Sequence, residues 1–215
     1  MGARDGMGAD APHSATVAPI AVTAGSADTE PLGDVLQAAF WDDPVFVWML
    51  PDEASRARRA ARVFMLLLRA HYMPMRTVWT TPDHAGAALW APPGHAIIPT
   101  AAMIKRSPAL VQALGRHTFR VLRGLDHIDR QHPKDPHWYL GVLGTAPPHQ
   151  GKGVGSALMA PVLERCDDDG IPAYLESSKE ANIAFYRRHG FEVTGEIRVP
   201  GGPVLWPMWR EPRPC

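Results

Sequence analysis

Cysteine is scarce in this chain: two in 215 residues, Cys166 and Cys215. That pair builds neither a disulfide framework nor a zinc spacing, so both cysteines are read as structural. Net charge is missing too, because 22 basic residues balance 22 acidic ones. This excludes the one-signed surface expected of a partner for nucleic acid or for an anionic membrane. The 10 histidines show no H-E-x-x-H or comparable ligand spacing, and no metal is expected. Long hydrophobic runs are also absent. Residues 15–24 are mildly apolar but contain Thr and Pro and no leucine-rich core, a poor signal peptide, and no stretch reaches the length of a membrane span. The expectation is a cytoplasmic protein whose partners are small molecules, with no nucleic acid and no membrane, and with homodimeric assembly admitted.

Apolar residues are plentiful. With 46% hydrophobic and 20% charged residues, a chain of this length can bury one sizeable core. Residues 1–28, rich in Gly, Ala, Ser and Asp, read as a flexible tail, and residues 29–215 as a single domain. Apolar spacing predicts helices over 31–41, 54–72, 109–128, 153–166 and 182–189. Strand signals cover 17–23, 77–81, 84–90, 139–145, 172–177, 191–199 and 204–209. Pro161 falls inside one helix, where a proline costs about 3 kcal/mol. Apolar spacing continues through Val162, Leu163 and Cys166, so a kink is expected there rather than an end.

The densest signal is the run His149, Gln150, Gly151, Lys152, Gly153, Val154, Gly155, Ser156, between a strand signal and a helix signal. Three alternating glycines let backbone approach an anion, and the first N–H groups of the following helix have no partners within it. Lys152 adds a compact positive charge. A nucleoside-triphosphate loop would need Gly at 146 and Ser or Thr at 153; the chain has Ala146 and Gly153. A dinucleotide site is approximated by Gly151, Gly153 and Ser156 with Glu176 downstream. However, a Pro-Pro loop separates strand from glycines, and too little chain follows to complete a doubly wound sheet.

A second motif follows in Asn182, Ile183, Ala184, Phe185, Tyr186, Arg187, Arg188, His189, Gly190, Phe191. Together, in this order and with Glu176 between them, the two motifs resemble the GNAT superfamily of N-acetyltransferases. Residues 132–140, 171–178 and 199–203 are further similar to its puromycin N-acetyltransferase branch, and Ala39-Phe40, Asp43-Pro44 and Leu89-Trp90 are weaker points of likeness. The resemblance is dense over 133–212 and looser over 32–93, the half in which such enzymes usually choose substrates.

The resemblance implies an α/β fold: a mixed, mostly antiparallel central sheet flanked by helices, with two splayed strands making a cleft for acetyl-CoA as co-substrate. In that cleft Leu143, Gly144 and Thr145 would meet the pantetheine arm through their main chain. Gln150, Gly151, Lys152, Gly153, Val154, Gly155 and Ser156 would hold the pyrophosphate, and Asn182 would orient cofactor or helix start. Arg187 and Arg188 are read as solvated charges. Tyr186 is the candidate acid for the departing thiolate. Its ordinary pKa near 10 exceeds a thiol's by enough to make full proton transfer uphill by about 2 kcal/mol, so hydrogen bonding is the expected role. Glu176 is the candidate base, acting directly or through water. An alkyl amine is neutral about once in several thousand molecules at pH 7, whereas an α-amino group near pKa 7.7 demands far less of a base. The expected acceptor is a primary amine on a small molecule, an aminonucleoside-type antibiotic of the puromycin kind being the candidate, which would make this a resistance enzyme. Acetylation of a protein N-terminus and a non-catalytic acyl-CoA-binding regulator are the alternatives. Aromatic residues 41, 46, 48, 72, 79 and 90 are read mostly as core, some as pocket wall.

Overall fold

The computed structural model describes residues 18–96 and 108–213. Val17 and Cys215, included in the sequence expectations, lie outside the described residues. Among the described residues, eight strands form one mixed sheet: β1 Val22–Thr23, β2 Val78–Thr80, β3 Gly86–Ala91, β4 Trp138–Thr145, β5 Ala173–Ser177, β6 Glu192–Val193, β7 Ile197–Arg198 and β8 Val204–Arg210. The order is β1-β2-β3-β4-β5-β8-β6, with β7 also on β8. Every pairing is antiparallel except that of β4 with β5. β1 pairs with β2, so the ordered fold takes in Val22 and Thr23, within the stretch that composition alone reads as tail.

The helices are α1 Thr29–Ala39, α2 Pro44–Met49, α3 Glu53–Leu67, α4 Met73–Met75, α5 Pro108–Leu114, α6 Thr118–Asp129, α7 Val154–Asp169 and α8 Ile183–Arg188. They cover both faces of the sheet, and the alternation of β3 shows how. Its Ala87, Leu89 and Ala91 join Leu32 and Leu36 of α1 and Phe64 of α3 in one core. The intervening Ala88 and Trp90 join Leu158, Met159 and Val162 of α7 in the other. A strand buried on both sides reads as a continuous apolar run, as β3 does.

Several expectations shift in detail. The helix expected over 109–128 is two, because Gly115 takes a left-handed φ of 56° and a 3-10 turn over Gly115–His117 separates α5 from α6. The strand expected over 191–199 is the two short strands β6 and β7. Helix α2 was not anticipated, although Asp43 before Pro44 is a helix start: the Asp43 side chain accepts from the N–H groups of Val45 and Phe46 at 2.9 and 3.2 Å. Helix α7 runs through Pro161 to Asp169, as the continued apolar spacing requires.

The stretch expected as one helix to residue 72 opens into a wider π-turn over Leu68–Tyr72. Pro74 follows; its ring would collide with the Ala70 carbonyl in an unbroken α-helix, and it has no N–H to give it. The N–H of Met73 instead reaches back to the Leu68 carbonyl. Tyr72 is thereby turned onto the sheet, which brings its hydroxyl against β4.

Candidate active site

The central feature is a fork in the sheet. β4 and β5 pair in parallel only at Trp138 with Ala173 and Tyr139 with Tyr174. Beyond that both strands go on, but with other partners: β4 stays on β3 as far as Thr145, and β5 stays on β8 as far as Ser177. Gly141 marks where β4 turns away. Leu140 stands opposite Trp90 and Val142 opposite Leu89, which leaves Gly141 as an extra, bulged residue, and bulges bend strands. Glycine is required there, since a Cβ would lie 2.1 Å from the Tyr72 hydroxyl oxygen.

A cavity of about 580 Å³ fills the fork. Leu143, Gly144 and Thr145 line it from β4, and Glu176 from β5. At one end is the glycine turn. After Thr145 the chain makes a 3-10 turn over Pro147–His149, then passes through Gly151 and Gly153 with φ of 73° and 82°, conformations that side chains resist. Gln150 fastens the turn by donating from Nε2 to the Thr145 carbonyl at 3.1 Å. α7 then begins with glycine at its N-cap and hence no side-chain oxygen to occupy its first N–H groups.

Gln150, Gly151, Gly153, Val154, Gly155 and Ser156 all line the cavity. Lys152 does not: it stands exposed between the two left-handed glycines, on the solvent side of the turn. Asn182, at the N-cap of α8, lines the cavity with no capping bond on its side chain. Tyr186, one turn further on, is buried and lines it too. Burial and the nearby Asp43 carboxylate hold the Tyr186 phenol well above its usual pKa. It therefore keeps its proton through the neutral range.

Four further groups line the cavity, three that sequence reasoning passes over and Arg188, which it reads as solvated. Asp43 lines the cavity and is nearly inaccessible to solvent; burial raises its pKa, against the opposing effect of hydrogen bonds from Ser178 and the α2 amides. Ser178 and Lys179, just past β5, and Arg188 of α8 complete the wall. Arg188 lies over the Phe185 ring at 5.7 Å rather than standing free. Asp43-Pro44 carried a readable helix-start signal; Ser178 and Lys179 carried none. The cavity's aromatic wall comes from Phe40, Phe185 and Tyr186, whereas Phe46, Trp48, Tyr72 and Trp90 are core.

Glu176 is buried along with His132, their side chains 6% and 5% exposed, and His132 Nδ1 lies 3.4 Å from Glu176 Oε1. Burial, and after it the charge of Glu176, raises the pKa of Tyr72, Tyr139 and Tyr174 far above the ordinary phenol range. The carboxylate thus sits among neutral hydroxyls and one imidazole.

A family model described as acetyltransferase (GNAT) family matches residues 112–191, the segment that carries the fork and the glycine turn. An N-acetyltransferase of Schizosaccharomyces pombe is 30% identical over 164 residues, which cover 71% of this chain and 66% of that protein. A mycothiol acetyltransferase of Paenarthrobacter aurescens is 34% identical over 85 residues, 36% of this chain and 26% of that protein. The chain thus spans under two thirds of the length of these relatives. A crystal structure from Corynebacterium glutamicum, described as histone acetyltransferase HPA2 and related acetyltransferase, superposes with a TM-score of 0.70 at 28% identity, over 91% of this chain and 97% of that one. The Drosophila melanogaster polyamine N-acetyltransferase, 15% identical with a TM-score of 0.59, shares the fold.

Proposed function

Because the chain belongs to the GNAT acetyltransferase superfamily, we propose that it transfers an acetyl group from acetyl-CoA to the primary amine of a small molecule, as a cytoplasmic enzyme with one catalytic domain. The observation that carries the reading is the single cavity in the β4/β5 fork, which reaches from the glycine turn at the head of α7 to Glu176 and Tyr186.

Acetyl-CoA, when bound, supplies an activated thioester. The chain's residues suit it at both ends. The positive-φ glycines and the uncapped start of α7 fit a pyrophosphate, with Gln150, Gly151, Gly153, Val154, Gly155 and Ser156 around it and Lys152 adding charge from the solvent side. The edge of β4 released at the fork, at Leu143, Gly144 and Thr145, suits an extended arm that bonds main chain as an added strand does. Asn182 orients the start of α8.

In this reading Glu176 accepts the proton that the acceptor amine must lose. Tyr186 donates a hydrogen bond to the departing sulfur. Its raised pKa makes complete proton transfer costlier than the ordinary value implies, so its contribution is to stabilise developing charge. The likeness of residues 132–140, 171–178 and 199–203 to the puromycin N-acetyltransferase branch supports an aminonucleoside with an aminoacyl-type α-amine as acceptor, and with it a role in antibiotic resistance. A panel of puromycin, other aminonucleosides, aminoglycosides, polyamines and short peptides, scored by the mass of the acetylated product, tests this. Acetylation confined to peptides would replace the small-molecule reading with acetylation of protein N-termini.

A further inference from the structure

His132 and His137 form a line of hydrogen bonds that ends on Glu176. His137 Nδ1 lies 2.6 Å from the Asp135 carbonyl oxygen, His137 Nε2 lies 3.0 Å from His132 Nε2, and His132 Nδ1 lies 3.4 Å from Glu176 Oε1. The line is walled by rings: His132 meets Tyr139 and Tyr174 edge-on, each at 4.9 Å, and His137 meets Tyr174 and Trp209, each at 5.4 Å.

Counting protons along this line gives its capacity. A carbonyl oxygen only accepts, so His137 Nδ1 must carry hydrogen; one hydrogen must lie between the two Nε2 atoms; and the contact with the carboxyl group needs a third. Two neutral imidazoles bring two N–H hydrogens between them. A line with a hydrogen in every contact would therefore hold one proton more than two neutral rings and a carboxylate contain. His132 uses a different nitrogen toward each neighbour, so the three side chains form a relay rather than converging on a point as metal ligands do.

We propose that His132, His137 and Glu176 act as one proton-accepting unit, in which the proton taken from the acceptor amine supplies the hydrogen that the line lacks when both rings are neutral and Glu176 is ionised. This rests on the reading of Glu176 as the base. The step balances: the amine nitrogen forms its bond to the acetyl carbon as the carbon–sulfur bond breaks, the electron pair leaves on the thiolate beside Tyr186, the amine gives one proton to Glu176, His132 shares it while His137 holds the His132 tautomer, and solvent carries it to the thiolate as the products leave. Glu176 contacts the reacting nitrogen; His132 and His137 are positioning residues that set how strongly the unit holds a proton. The groups facing it are Tyr72 from the π-turn, Tyr139 from β4, Tyr174 from β5 and the carboxylate of Asp135. The three tyrosines stay neutral, so the proton has no competitor among them.

The test compares kcat/KM for acetylation in wild type, His132→Asn and Glu176→Gln between pH 6 and 8, taking variant-to-wild-type ratios so that the ionisation of the amine cancels. A lone carboxylate ionises near pH 4.3 and an imidazole near 6.5. His132→Asn is therefore expected to lose activity at pH 8 and to recover at least threefold relative to wild type at pH 6. A flat His132→Asn ratio beside an impaired Glu176→Gln enzyme would show the carboxylate acting alone and overturn the relay while leaving the base in place. Glu176→Gln equal to wild type at every pH would remove the base and the relay with it.

Discussion

Ser178 Oγ donates a hydrogen bond to Asp43 Oδ2, joining residues 135 positions apart across the mouth of the cleft. One position away on each side, Lys179 Nζ meets Asp42 Oδ1 at 2.7 Å. The turn that starts α2 and the loop that follows β5 are thus latched together, one link buried and the other at the surface. The buried link matters more, because Asp43 also holds the first amides of α2 and an unpaired buried donor or acceptor costs about 1–3 kcal/mol.

Asp43→Asn and Asp43→Ala should therefore differ. Asparagine caps a helix as well as aspartate does, and it removes a charge whose burial is unfavourable, as its raised pKa records. The expected result in urea unfolding at pH 7 is a change within about 1 kcal/mol for Asn and a loss of about 1–3 kcal/mol for Ala. Equal losses would mean that the charge, and not the cap, is what α2 requires.

Arg210 of β8 gives a second stability prediction. Its Nη1 and Nη2 donate to the two oxygens of Asp167 at 2.8 and 2.7 Å, and its Nε donates to the His189 carbonyl at 2.9 Å. The guanidinium is 2% exposed. The hydrogen bonds from Arg210 hold the Asp167 carboxyl below its usual pKa, so this stabilisation is fully present above the unfolded value of about 3.9 and is lost as pH falls through the lower folded value. Asp167→Asn should cost about 3–5 kcal/mol at pH 7 by leaving a buried cation uncompensated, and should flatten the acid limb of the stability curve. An acid limb identical to wild type would place the pair's contribution near zero.

Gly141→Ala tests the fork. The new methyl would meet the Tyr72 hydroxyl, and overpacking of this kind costs about 1–3 kcal/mol. Tyr72→Phe removes the obstructing oxygen, so most of that loss should vanish when the alanine is introduced into the Tyr72→Phe protein. The same loss in both backgrounds would show that the bulge requires glycine for its backbone alone.

The sequence was most readable where chemistry depends on neighbours in the chain. The glycine turn, the alternation of β4, and the Asn182 to Phe191 segment each announce themselves within a dozen residues, and all but Lys152 of the residues singled out there for cofactor contact line the cavity. The charge of Lys152 suggests a phosphate contact, but it stands exposed between two left-handed glycines. What could not be read depends on tertiary juxtaposition. His132 and Glu176 are 44 positions apart and Asp43 and Ser178 are 135, with no periodicity to link them. The ten histidines carry no ligand spacing, and the contact between His132 and His137 follows no sequence rule. The split between α5 and α6 was within reach, because Gly115 in a predicted helix is a warning.

Glu176→Gln should cost less than tenfold in kcat/KM at pH 7 with an α-amino acceptor, since such an amine is already partly neutral there. With an alkyl amine the loss should be larger. A loss beyond about 10³-fold on an α-amine, the range of strong general-base effects, would contradict the aminoacyl-type acceptor.

The central claim is that the fork is an acetyl-transfer site in which Tyr186 meets the departing sulfur. The most direct measurement is the rate of amine-dependent thiol release from acetyl-CoA by wild type and by Tyr186→Phe, with acetyl-CoA affinity determined alongside by calorimetry. The account predicts release by wild type, a fall of about 10²-fold in kcat on losing the hydroxyl, and acetyl-CoA affinity within about twofold of wild type. Tight acetyl-CoA binding by both proteins with no release for any amine would contradict it and make the protein an acyl-CoA binder.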